Sequence, residues 1–233
     1  MIVRSTNRLV PRRAAALNAV SAQSGFSLVE MLIALTVTLV IVSIAFFLLA
    51  QSFNRKARND KEADALSDAD QAMSWISREV TNSGFGLSSN GLVSADCTYN
   101  KIRIRANLNA LLKETTSGTV ADQDEDVEYY LVANAGSPSS LVRSDVGRNE
   151  TTVIATQVDD VDVDNDGIGD GLKFDYLDAA GTAVTPSSAV RVRVTIRIIL
   201  PQVGVPGSPG FQPKVTKTLS STIVLRNARL VAY

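Results

Sequence analysis

Between Met31 and Ala50 the chain runs for twenty residues without an Asp, Glu, Lys or Arg. No other feature limits its fold so strongly. About 20 apolar residues in a helix cover the ~30 Å hydrocarbon core of a bilayer, and a lone span in lipid satisfies its backbone only as a helix. Glu30 stands at the N-terminal edge of this run. An acid costs roughly 2.5–3.5 kcal/mol at a membrane centre and less near an end, so Glu30 marks function unless it merely rests at headgroup depth.

Upstream, residues 1–25 carry Arg4, Arg8, Arg12 and Arg13 and no acid. This basic leader reads as a processed segment and not as part of the fold. An ordinary secretory signal has a shorter apolar core with the cut behind it. Here the apolar run is longer, and a cut in front of it would leave the helix in the mature chain. Arg55, Lys56, Arg58 and Lys61 lie beyond the span, and a count of bases therefore does not orient it.

No Pro or Gly occurs from Phe26 to Ser83. Leu66, Ala69, Met73, Ile76 and Val80 recur at alternating spacings of 3 and 4, which is one helical face. Gly84 and Gly86 supply a stop. The pattern predicts a helix within 26–83, ~80 Å long at 1.5 Å per residue. Its membrane-spanning part covers about 28–50, and its second half packs its stripe on the C-terminal domain. A coiled coil is the other use of such a stripe, but two heptads are few for one.

Residues 84–233 read as a β-rich globular domain. Lys101–Arg105, Val127–Val132, Thr152–Val158, Leu172–Leu177 and Val190–Ile198 are strand candidates. The last alternates Val/Ile with Arg/Thr, the mark of a half-buried antiparallel strand. Arg191, Arg193 and Arg197 then form a solvated face or, alternatively, a basic ligand face. Four prolines and three glycines make 201–213 a loop. A final strand, Val215–Leu225, returns beside its predecessor as a hairpin. The expected fold class is α+β: a long N-terminal helix packed on a C-terminal antiparallel sheet.

The chain has no histidine and one cysteine, Cys97. The first removes Ser-His and Cys-His catalysis and His-ligated zinc; Ser-Lys and carboxylate pairs remain open to an enzyme, but none is expected. The second rules out an intrachain disulfide and suits a buried small apolar residue. Taking the four leader arginines from 23 bases leaves 19 against 24 acids, which is no nucleic-acid footprint.

One loop has metal-ligand spacing. Asp162, Asp164, Asp166 and Asp170 hold positions 1, 3, 5 and 9, Gly167 holds position 6, and Ile168 offers a carbonyl at position 7. Alternate carboxylates around a glycine turn make the front of a Ca²⁺ loop. Position 12 is Lys173 in place of a bidentate Glu, so Asp175 or Asp160 would have to fill in, or the site is weak, or the stretch is a solvated Asp/Gly turn. Asp122-Gln123-Asp124-Glu125-Asp126 also alternates acids but lacks the glycine, and a charged loop is the usual explanation.

Gly25-Phe26-Ser27-Leu28-Val29-Glu30 resembles the processing site of type IV prepilins and related pseudopilins. The resemblance implies a cut between Gly25 and Phe26 by a dedicated prepilin peptidase, and methylation of the new Phe26 amine. It also implies that Glu30 acts in assembly, pairing with the N-terminal amine of a neighbouring subunit. Such an amine has a pKa of ~8 and is cationic at neutral pH, and each charge is costly in low dielectric without the other. Ser27 replaces the family's common Thr. Ser221-Thr222-Ile223-Val224-Leu225-Arg226-Asn227, after a strand, a long loop and a strand, is similar to the C-terminus of the PilW-like minor pilins.

The implied function is that of a minor type IV pilin, acting in pilus assembly initiation or at the tip. Its partners would be other minor and major pilins, met through the N-terminal helix. It would sit in the bacterial inner membrane with its C-terminal domain periplasmic, and then in the pilus at the cell surface. Adhesion and twitching motility are among the uses this allows. The J-type minor pseudopilin of type II secretion has a similar layout, and a membrane-anchored binding domain or enzyme is the reading from another class.

Overall fold

The computed structural model describes residues 25–109, 122–134, 137–165, 167–208 and 210–228. Most of the leader, and Asp166 of the acidic loop, lie outside the described residues. The chain divides into two compact units, Met1–Phe46 and Phe47–Tyr233.

One helix, α1, covers Leu28–Asn82. It is long and apolar enough to cross a membrane. In the first unit all of its residues are exposed; Leu28, Leu35 and Phe46 are 80%, 68% and 65% accessible. Thr36, Thr38 and Ser43 return their hydroxyls to main-chain carbonyls one turn back, which hides the only polar side chains of this stretch after Glu30.

In the second unit α1 buries Ala65, Ala69, Ala72, Ile76 and Val80. The stripe is displaced by part of a turn from the one the larger apolar residues mark: Leu66 and Met73 are only half-buried at its margin. The reason is steric. Alanines at the centre let the helix backbone lie close to the sheet, while the larger residues fill the flanks. Forcing a larger side chain into such a line costs about 1–3 kcal/mol. Arg58, nearer the N-terminal end of this unit, is also buried and donates to the Pro213 carbonyl at 2.6 Å.

Seven strands follow, with a 3-10 turn at Pro186–Ser188: β1 Ile102–Arg105, β2 Asp126–Asn134, β3 Ser137–Asp145, β4 Glu150–Val158, β5 Leu172–Leu177, β6 Arg191–Leu200 and β7 Val215–Val224. All pairings are antiparallel, in the order β1-β2-β3-β4-β6-β5, with β7 on β6. β6 and β7 form the expected hairpin, in unbroken register from Arg191↔Val224 to Leu200↔Val215. On β6, Val192, Val194, Ile196 and Ile198 are buried, and they join Phe174, Tyr129, Leu141 and the α1 stripe in one core. β3 is the strand that pattern alone does not reveal. Its first half, Ser137-Pro138-Ser139-Ser140, has the composition of a turn, and pairing with β2 and β4 overrides that propensity.

Candidate functional site

The N-terminal processing segment comes first. Gly25, Phe26 and Ser27 precede the helix in non-helical backbone, and Phe26 is 85% exposed. Ser27 accepts the Met31 N–H at its carbonyl, 3.1 Å, so it is the N-cap of α1. Glu30 reaches back, and its Oε2 accepts the Ser27 N–H at 2.9 Å. The Ser27 hydroxyl lies 3.4 Å from the Val29 N–H. Ser-x-x-Glu is the spacing of a capping box, in which the acid satisfies a main-chain donor at the start of the helix and complements its dipole. The assembly reading of Glu30 overlooked this local role, although the spacing is visible in Ser27-Leu28-Val29-Glu30.

Residues 20–46 match the family model of the prokaryotic N-terminal methylation motif. The match contains Gly25, Phe26, Glu30 and the first turns of α1. No curated protein and no solved structure matches the chain. A methylation motif of prepilin type, on a long apolar helix whose second half packs against an antiparallel sheet, supports a type IV pilin- or pseudopilin-like protein.

The acidic loop is the second site. Asp162, Asp164 and Asp170 bring carboxylate oxygens within 4.8 Å of one another. Asn165 and Gly167 both take positive φ, +60° and +86°, which turns the loop back on itself. Asp162 Oδ2 accepts the Gly167 N–H at 2.9 Å, and Asp170 accepts the Val163 N–H at 2.8 Å and the Tyr99 hydroxyl at 2.8 Å. The Val163 N–H, with Tyr99, holds the Asp170 carboxyl below the usual range. Three hard oxygen donors suit a Ca²⁺ ion. Ile168 is exposed on the same turn. Lys173 lies beside the loop: its ammonium sits over the Tyr99 ring at 4.5 Å and 3.8 Å from Asp175. Asp160 lies against the loop so closely that a Cβ at Gly169 would overlap its carboxylate.

The second acidic run is the expected charged loop only at Asp122, Gln123 and Asp124, which are exposed on a turn. Glu125 and Asp126 are 1% and 4% exposed. Glu125 Oε1 accepts the N–H groups of Leu108 and Asn109 at 2.8 and 3.3 Å. Asp126 takes Arg103 on both oxygens and Arg105 on one. Asp124 and Glu79 both pair with Arg143, and the Tyr129 hydroxyl donates to Glu79 at 2.6 Å. These carboxylates are fastened by cations and main-chain donors, which explains acids at strand positions better than metal binding does.

Arg197 pairs with Asp159 at 3.0 Å, and Arg193 lies 3.9 Å from Asp175. Both share a face with hydroxyls, including the Thr195–Ser220 contact at 3.1 Å, as a solvated sheet face does. Cys97 is buried, and burial pushes its thiol up.

Proposed function

We propose that this chain is a minor type IV pilin of the PilW-like kind. Its prepilin would be cut between Gly25 and Phe26 by the prepilin peptidase and N-methylated on Phe26. The helix would hold it in the inner membrane with the sheet domain periplasmic, and then pass into the filament, where Glu30 faces a neighbour's amine. The domain would act in assembly initiation or at the tip and perform no catalysis. The observation that carries this reading is the methylation motif over residues 20–46, set on a helix that from Met31 to Ala50 exposes only apolar side chains and aliphatic hydroxyls. An exposed apolar surface of that extent needs either lipid or other helices.

The acidic loop would bind Ca²⁺ through Asp162, Asp164, Asp170 and the Ile168 carbonyl, with Asp166 as the remaining ligand. Three carboxylates already gathered on one turn support this. A Lys at position 12 argues for weak affinity, on the order of 10⁻⁴–10⁻³ M.

The deciding experiment is mass spectrometry of the mature N-terminus in cells with and without the prepilin peptidase. N-methylated Phe26, seen only with the peptidase, is the expected result. An intact leader, or a cut beyond the apolar run, removes the filament reading.

A further inference from the structure

The sheet treats its edges unequally. β1 has four residues, and its outer side is closed by the Leu92↔Ile104 bridge and by Val93 and Gly91 bonding to Arg103 and Arg105. The outer side of β5 receives Tyr99 and Val184, with a bridge from Leu177 to Ala183. β4 is blunted by register shifts against β3 and by Gln157 at φ +63°. These are ordinary ways of stopping an edge from recruiting another strand.

β7 has none of them. It is ten residues long, with no Pro within it and no register shift against β6. Leu225 donates to Val190, and Arg197 donates to Gly171 on the other side of β6. By the alternation of an antiparallel ladder, Val215, Lys217, Leu219, Ser221 and Ile223 face β6. Thr216, Thr218, Ser220, Thr222 and Val224 therefore turn both N–H and C=O away from it. Among the described residues no main-chain bond reaches these groups. Lys217, the one charge on the strand, is already paired with Glu62.

We propose that the free edge of β7 receives an extended segment of another polypeptide, one with apolar side chains at alternate positions. The unpaired groups of β7 supply the ladder that strand addition uses. The apolar requirement comes from the residues that flank the edge. Glu62 meets Lys217, and Leu66 and Met73 come next on the same helical face. Both are half-buried, as is Leu219 on the inward side of β7. Every second residue of an added strand would cover this shelf, and the others would continue the Thr/Ser row of the outer face.

A second copy of the chain does not fit. β7 runs alongside α1 in the same direction, from Arg58 at Pro213 to Asn227 at the Asn82 carbonyl. A second copy of β7 would place Lys217 and Ser221 on this shelf, polar at two of its five inward positions.

The test is amide hydrogen exchange on the full-length chain in detergent, with a capped synthetic peptide of about nine alternating Val and Thr residues as probe, a length matched to one strand. The amides of Thr216, Thr218, Ser220 and Thr222 are expected to exchange fast without peptide and at least about tenfold more slowly with it. Ser220→Pro deletes an outward N–H and the hydroxyl contact to Thr195 but no main-chain bond to β6, so it should abolish the slowing while β6 amides stay protected. Three results overturn the proposal: outward amides already protected in the monomer, slowing accompanied by a dimer in light scattering without peptide, or no slowing at millimolar peptide.

Discussion

Glu30 caps the helix that it was expected to serve only in assembly: its Oε2 accepts the Ser27 N–H at 2.9 Å. The same carboxylate is thus a main-chain acceptor within the chain and the proposed counter-charge for a neighbour's amine. A neutral amide can do the first job but not the second. Glu30→Gln should therefore leave the protein inserted in the membrane while abolishing filaments as fully as Glu30→Ala. Filaments sheared from cells, compared by immunoblot with the membrane fraction, give the answer. Normal filaments from the Gln variant would reduce Glu30 to a capping residue.

Arg143 gives a stability prediction. It lies between Glu79 on α1 and Asp124 beside β2, with its guanidinium 5.8 Å from the Trp75 ring centroid. Both Arg143 and Glu79 have side chains about 10% exposed. Removing one member of a buried pair leaves the other uncompensated, at about 3–5 kcal/mol. Arg143→Leu should cost that much in urea unfolding of the full chain in detergent, and adding Glu79→Gln should recover part of it. If the two substitutions are simply additive, the pair is not coupled.

The helix and most strands are legible in the sequence because one local rule governs each. A charge-free twenty-mer can do little else, and Val/Ile alternation at Val192, Val194, Ile196 and Ile198 marks a face at once. The helical stripe is misplaced when hydrophobic size is read as depth, because Ala65, Ala69 and Ala72 occupy the closest approach. β3 stays hidden because its pairing partners, and not its own residues, make it a strand. The acids at 122–126 look solvated because their cations, Arg103, Arg105 and Arg143, are distant in sequence. At the processing segment the cleavage pair is a motif, whereas the capping role of Glu30 needs the helix start to be placed at Ser27.

Asp126 and Glu79 should give stability opposite dependences on pH. Burial alone would raise the Asp126 carboxyl, but Arg103 and Arg105 outweigh it and hold it below its ordinary value. The unfolded chain then takes up this proton first on acidification, so the contribution is complete above the ordinary carboxylate pKa and drains as pH falls through the folded one. Burial raises Glu79 despite Tyr129 and Arg143, so its contribution is complete at low pH and is lost as pH rises through its folded pKa. Thermal unfolding between about pH 3 and 7 should show a weaker acid-side loss in Asp126→Asn and a weaker loss on the rising side in Glu79→Gln. Superimposable profiles for wild type and Asp126→Asn would show that its arginine contacts are not maintained in solution.

Position 12 of the acidic loop offers the sharpest test of calcium binding. Lys173 sits there, drawn off onto Tyr99 and Asp175, while Asp162, Asp164 and Asp170 are already gathered. If the loop holds Ca²⁺, Lys173→Glu exchanges a repelling charge for a ligand and should tighten binding by about tenfold or more, toward the range of loops with a complete ligand set. Asp162→Asn with Asp164→Asn should weaken it below detection. Calorimetric titration of the full chain with CaCl₂ measures both. For the unchanged protein, Ca²⁺ at ten times Kd should raise unfolding stability by about 1.4 kcal/mol, with no such gain in the double variant. A Lys173→Glu chain that binds no more tightly would mean that the turn is stabilised by its own bonds, through Val163, Gly167 and Tyr99, and that the three carboxylates gather without serving a metal.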